Sequence, residues 1–288
     1  MSVKLITDGS VDLPAETLEQ YQIGVVPLSV TIDGETLLSR VEIDTQTFYE
    51  RQQRAESLPT TSLPTPEQFR AAFEEALQSH TQVLCLCISS GLSGTVNSAR
   101  QAAEHFPDGA VTVRDSLTLS GALGFQLVAA GMALQRGGSL DAALDAAETT
   151  HQETSLYFAL GELTYLIKGG RIGRVAGTVG SLFNIKPVIT VDKRDGIYTT
   201  AARVRSFDSA MRKMLELAEG VVGTEQPGRF MVLHGAMEAE ADEMERSVRE
   251  RFDVRWLHTL QISPALGAHT GPHGLGLVAA PGDWKVGQ

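Results

Sequence analysis

Between residues 83 and 106 an apolar run, a turn of hydroxyls and glycines, and a helical segment follow one another without a break, and no other stretch restricts the fold as strongly. Val83-Leu84-Cys85-Leu86-Cys87 has the length and character of a buried strand, and Thr95–Phe106 carries a helical pattern. Ile88-Ser89-Ser90-Gly91-Leu92-Ser93-Gly94-Thr95 therefore falls where a strand turns into a helix. Helix-leading N–H groups lack intrahelical partners and face outward with the positive end of the macrodipole, while Gly91 and Gly94 let the backbone approach a ligand. Such a turn suits an anion, carboxylate or phosphate, with Ser93 as the hydroxyl that grips it.

The same alternation runs through the first half. Val3–Thr7 is a short strand, and Asp12-Leu13-Pro14 after it reads as a helix entry with Asp12 as the capping acid. Ile23–Ile32, rich in β-branched residues and ended by Asp33-Gly34, reads as one strand. Thr65-Pro66-Glu67-Gln68 is a capping box with proline at the first helical position, ahead of Phe69–Leu77. Ala110–Val113 is a strand, Leu119–Leu134 a helix stopped by Gly137-Gly138, and Ser139 caps a helix from Leu140 to about Thr149. Strands alternating with helices of this length imply right-handed crossovers, so residues 1–160 are expected to form a doubly wound parallel α/β domain, with Ser155–Ala159 as its last strand.

From about Gly161 the pattern changes. Ile185–Val191 and Gly196–Val204, joined by Asp192–Gly196, read as an antiparallel hairpin backed by the helix Phe207–Glu219. Arg229–Leu233, Glu238–Arg251, Val254–Ile262 and Leu275–Ala279 complete an α+β domain with a largely antiparallel sheet over residues 161–288.

A net charge of −11 argues against nucleic acid as a partner, because neutralising phosphates takes a basic surface. The charge is uneven: between Gly161 and Lys213 ten basic residues stand against four acidic ones, a local +6 that is either a solvated face or an anion-docking surface. Glycine, charge or hydroxyl interrupts every apolar stretch short of bilayer length, and the N-terminus runs straight into a strand; neither a signal peptide nor stable membrane insertion is expected. Cys85 and Cys87 alternate in one strand and point to one face, as buried thiols of a reducing cytoplasm do. Neither these thiols nor the histidines have metal-ligand spacing, so no metal is expected.

Three hydroxyl loops end strands of the first half: Thr7-Asp8-Gly9-Ser10, Thr60-Thr61-Ser62 and Ser89–Thr95. Ligands of open parallel sheets sit at the carboxyl ends of strands, where these loops can converge. Their counterpart in the second half is Ile262–Pro272, read as a loop punctuated by glycine and proline that carries His269. Gly91-Leu92-Ser93-Gly94-Thr95 approaches the nucleophile-elbow pattern and departs from it at Thr95, so a serine hydrolase or esterase using Ser93 and His269 is an alternative reading, with no ground for choosing Asp115 or Asp192 as the third member. Lys168–Arg174 pairs glycine with arginine but matches no phosphate-loop pattern.

Taken in order, Thr7–Pro14, Thr61–Thr65, Ile88–Thr95, Asp115-Ser116, Leu163–Ile172, Ile185–Val188 and His269–Pro272 resemble the DegV family of bacterial fatty-acid-binding proteins. The resemblance implies two α/β domains with a long-chain fatty acid such as palmitate, stearate or oleate in a tunnel between or within them, and no other cofactor. It implies a role that is not itself catalytic: the carboxylate is presented to a separate, dihydroxyacetone-kinase-like fatty acid kinase, which makes acyl phosphate for phospholipid synthesis. By this resemblance Thr61, Ser93 and His269 hydrogen-bond the carboxylate, with Ser62, Gly94, Thr95, Gly267 and Ala268 in support, while Arg171 and Arg205 lie where the kinase docks. The chain departs from the family pattern at Leu63, where glutamine is usual, at Gly9, where serine is common, and at His273, where glycine is usual. Leu63 is expected to change the hydrogen bonding near the carboxylate.

Overall fold

Apolar residues at every second position of the strands face two different cores, and this alternation sets the layers of the molecule. The computed structural model describes residues 2–179, 185–223 and 226–286. Its first elements are β1 (Val3–Asp8), α1 (Ala15–Gln20), β2 (Gly24–Val26), β3 (Ser29–Ile32), β4 (Glu35–Leu38), α2 (Thr45–Gln52), β5 (Thr60–Ser62) and α3 (Pro66–Leu77). Next come β6 (Gln82–Cys87), α4 (Thr95–Ala103), β7 (Val111–Asp115), α5 (Ser120–Gln135), α6 (Leu140–Glu153), β8 (Ser155–Leu160), α7 (Thr164–Lys168) and α8 (Ala176–Val179). The chain ends with β9 (Lys186–Val191), β10 (Tyr198–Val204), α9 (Phe207–Val222), β11 (Gly228–His234), α10 (Glu238–Arg251), β12 (Val254–Gln261), α11 (Pro264–Thr270) and β13 (Gly274–Pro281).

The expected parallel sheet is present, in the order β2-β1-β6-β7 with every pair parallel. The second sheet runs β10-β9-β8-β13-β11-β12 and is antiparallel except between β11 and β12. In β6, Val83, Cys85 and Cys87 face a cluster with Phe69 and Phe73 of α3, whereas Leu84 and Leu86 face α5 on the opposite side. In β8, Leu156, Phe158 and Leu160 face α5, and Tyr157 and Ala159 face α9. Helix α5 therefore lies between the sheets, buried on all sides, as its nearly uninterrupted apolar sequence requires. Gly121 and Gly124 make this fit possible, since a Cβ at either position would run into Met231 or Leu13. Among the described residues no helix is long and apolar enough to cross a membrane.

Four expectations change. Ile23–Ile32 is two strands in different sheets: Pro27, with no N–H to give a ladder, ends β2, and β3 turns away to pair with β4 and β5 in a third, antiparallel sheet. Asp12 does not cap α1, whose N-cap is Pro14 without a side-chain bond; its carboxylate is buried and used elsewhere. Ser155–Leu160 pairs with β13 and β9 of the second sheet, so the change of sheet falls before Ser155 and not near Gly161. The segment around His269 is a helix. Proline sits at N1, where a missing N–H costs nothing, and Gly271 at φ 73 ends the helix.

Candidate functional site

Three segments far apart in the chain meet at one narrow cavity of about 40 Å³. Thr61 comes from β5, Ser93 from the turn between β6 and α4, and His269 from the last turn of α11; all three line it. His269 Nε2 lies 2.7 Å from Thr61 Oγ1. Ser93 Oγ lies 2.8 Å from Thr95 Oγ1 at the N-terminus of α4. Leu28, Ile88, Leu92, Leu119, Tyr198 and Leu266 supply apolar walls, and Arg171 supplies a cation.

The Ser93 turn is held from both sheets. The carboxylate of Asp8, fully buried at the end of β1, accepts the N–H of Ile88 at 2.7 Å and that of Ser10 at 2.9 Å. Burial pushes this carboxyl above its ordinary pKa, against the opposing pull of these bonds. The Thr7–Ser10 loop thus braces the site rather than lining the cavity. On the other side Gly91 abuts the β9–β10 turn so closely that a Cβ would sit 2.6 Å from the Asp195 carbonyl oxygen.

Helix α11 is held by groups that are remote in sequence. Asp12 accepts the Ser263 N–H at 3.0 Å, the Ser120 hydroxyl at 2.5 Å and Arg40 Nη2 at 2.6 Å, joining α11 to α5 and to the loop after β4. Gln52 of α2 donates to the Gly267 carbonyl at 2.9 Å, and Ala268 packs in a cluster with Val30 and Phe48. Gly267 admits no side chain, since a Cβ would lie 2.6 Å from the Tyr49 hydroxyl.

Burial first, and the neighbouring Arg171 charge second, lower the His269 pKa to about 4, so the imidazole is neutral at pH 7. Its Nδ1 is buried without a hydrogen-bond partner. Arg171 Nη1 donates to the Gly169 carbonyl at 2.6 Å, fixing the guanidinium in the wall. Leu119, Tyr198 and Leu266 also line a second, narrow cavity of about 40 Å³, which lies further in between the sheets and is walled by Leu156, Phe158 and Leu160 of β8. Outward, Thr61, Arg171 and His269 border a groove of about 200 Å³ that also contains Lys168. The cavity that carries Thr61, Ser93 and His269 is thus a neck that shares wall residues with a cationic surface groove on one side and an apolar chamber on the other.

The supporting residues divide. Thr95 is buried against Ser93, Gly94 is the N-cap of α4, and Ala268 lines the outer groove, but Ser62 lies on the exposed side of β5 and Gly267 is used in helix packing. Leu63 is 41% exposed and covers Gly94. Arg171 belongs to the cavity itself, whereas Arg205 is exposed beyond β10 and lines neither the cavity nor its groove. Motifs do not mark Tyr198, Leu119 or Leu266 as wall residues. Leu266 precedes His269 by three residues on one helix, a spacing that would have pointed to it had the segment been read as helical.

The arrangement does not make a catalytic triad. A serine nucleophile needs a base that is oriented through its second ring nitrogen, and here that nitrogen has no partner. Asp115 accepts the N–H groups of Ser90 and Leu117, and Asp192 pairs with Arg174 and Arg194. Hydroxyls, a neutral imidazole and one nearby guanidinium instead line the cavity together.

Residues 2–282 match the family model described as uncharacterised protein, DegV family. The chain belongs to the DegV family. A DegV domain-containing protein of Deinococcus radiodurans is 38% identical over 283 residues, covering 98% of this chain and 97% of the relative. Among solved structures, a DegV family protein from Thermus thermophilus, described by its fatty acid binding, superposes with a TM-score of 0.90 at 32% identity, over 98% of this chain and 100% of that one. A stearic-acid-binding protein from Eubacterium ventriosum gives a TM-score of 0.87 at 28% identity, over 98% and 99% of the two chains. The fold, one parallel and one largely antiparallel sheet with covering helices, is that of this family.

Proposed function

We propose that this chain binds a long-chain fatty acid, with the carboxylate at Thr61, Ser93 and His269 and the acyl chain in the chamber between the two sheets, and that it presents the carboxylate to a separate fatty acid kinase in the cytoplasm. The observation that carries the reading is the junction of a polar neck with an apolar chamber, built from segments as distant as Thr61 and His269. Fatty acid binding by relatives of the same fold supports it.

The division of labour follows from the chemistry. The chamber contributes about 0.8 kcal/mol per buried methylene, so affinity is largely hydrophobic. At the neck, hydroxyls and a neutral imidazole orient the carboxylate without forming a bidentate ion pair, which leaves an oxygen able to attack phosphorus. In the transfer a carboxylate oxygen forms a bond to the terminal phosphorus of the nucleotide as the bond to the leaving nucleoside diphosphate breaks. The kinase supplies nucleotide and metal, and Arg171, Lys168 and Arg205 favour an acidic docking surface.

Organic extraction of purified protein followed by mass spectrometry tests the reading: fatty acid is expected at about one per chain, and its absence after loading would overturn it. Ester hydrolysis by the protein alone, abolished in Ser93→Ala, would return the site to a hydrolase.

A further inference from the structure

The row of side chains that lines the chamber does not end in an apolar residue. Leu160, Phe158 and Leu156 project from β8 into the chamber at alternate positions, and the next position in that series is Thr154, whose extended backbone (φ −90, ψ 139) continues the strand geometry. Thr154 lines a further small cavity of about 20 Å³, and Leu156 is common to it and the chamber. Thr154 is only 5% exposed, and its hydroxyl has no hydrogen-bond partner among the described residues.

The rest of this compartment is mixed: Leu117, Ala122 and Val191 line it beside Gln126, His151, Thr190 and Lys193. His151 presents Nδ1 to Gln126 Nε2 at 3.3 Å and Nε2 to the Lys193 carbonyl at 3.3 Å, and Thr190 lies opposite on β9. Burial lowers the His151 pKa below its ordinary value, which keeps the ring neutral and the compartment free of a buried imidazolium. A buried hydroxyl without a partner is a costly feature in a well-packed seam, and a compartment of this composition fits a small neutral polar group rather than a methyl.

We propose that the compartment behind Leu156 is a second recognition site, which takes a hydroxyl at or near the methyl end of the bound acyl chain, with Thr154 as its direct partner. The ligand class is thus hydroxy fatty acids oxygenated far from the carboxylate, and the proposal rests on the fatty acid reading of the neck. From Leu160 to Leu156 the strand advances about 13 Å, and an acyl chain of half the bilayer core extends about 15 Å, so a chain lying along β8 from Leu160 would bring its last carbons to Leu156.

The test is competition on the full-length protein. Equimolar palmitate and ω-hydroxypalmitate are offered together, unbound acid is removed, and the extracted acids are counted by mass spectrometry for the wild type and Thr154→Val. One satisfied hydrogen bond predicts that the wild type retains the hydroxy acid about threefold to tenfold over palmitate. Thr154→Val should bring the ratio to one or below while holding as much palmitate as the wild type, which also shows that it is folded. Palmitate binding without discrimination in the wild type, or a ratio unmoved in Thr154→Val, would mean that the compartment holds ordered water only and would overturn the proposal. Retention of neither acid would overturn the fatty acid reading itself.

Discussion

His269 gives the sharpest test of the site, because its charge state is coupled both to folding and to the ligand. Its pKa of about 4 in the folded protein lies below the ordinary 6.5, first through burial and then through Arg171. The unfolded chain therefore binds the proton more readily, so stability is lost as pH falls from about 6.5 towards 4 and regained as it rises. A histidine lowered this far contributes about 3 kcal/mol that is lost once protonation is complete, and about 2 kcal/mol of it goes between pH 7 and pH 5. His151 and His234, also lowered by burial, add to the slope in the same direction, so the measurement must be a difference. Urea unfolding of the wild type and of His269→Gln at the two pH values should show the variant losing about 2 kcal/mol less on acidification. A bound carboxylate favours the imidazolium, so fatty acid binding at pH 6, where the acid itself is already ionised, should take up a fraction of a proton, and binding at pH 8 should not. Calorimetry in buffers of different ionisation enthalpy reads that proton. Equal pH slopes in the two proteins would refute the buried neutral imidazole, and absence of proton uptake would refute its contact with the carboxylate.

Removing the Asp12 carboxylate in Asp12→Ala strands the Ser120 hydroxyl, the Ser263 N–H and one side of Arg40, and should lower unfolding stability by about 3 kcal/mol in urea titrations. Ser263 begins the helix that carries His269, so the same variant should also bind fatty acid more weakly at a temperature where it is still folded. A fatty acid two methylenes shorter should bind about fifteenfold more weakly in a competition titration, from about 1.6 kcal/mol of lost burial. Arg205→Glu should retain fatty acid and fail to support acyl-phosphate formation by the kinase, and full activity in the coupled assay would show that the positive segment is only a solvated face.

Local chemistry was legible where it acts within a few residues. The capping box at Thr65 and Gln68 and the Ser139 cap are formed as the sequence indicates, because each bond closes within three positions. The strand–turn–helix from Gln82 to Ala103 is equally local. What stayed hidden depends on partners distant in the chain. Asp12 has the sequence context of a cap, yet its carboxylate goes to Arg40, Ser120 and Ser263, since burial at the meeting of three segments outweighs one exposed helix end. The glycines around His269 look like a loop until Tyr49 and Phe48 supply the reason that Gly267 has no side chain. Thr61, Ser93 and His269 could be named from motifs, but the chamber walls could not: Tyr198, Leu119 and Leu266 are ordinary core residues in sequence, and only packing makes them line a cavity.

The position of α5 bears on how a ligand enters and leaves. One face of this helix completes the core of the parallel sheet, and the other completes that of the antiparallel sheet, within a single continuous cluster. Neither sheet can part from the helix without exposing apolar surface that belongs to both halves, so the chain should melt in one cooperative step and a fragment ending before β8 should not fold alone. Spreading the halves would expose this shared apolar surface. For an acyl chain bound in the chamber, exchange is therefore expected through the neck, with local motion of the Ser93 turn and α11 setting its rate rather than hinge opening of two lobes.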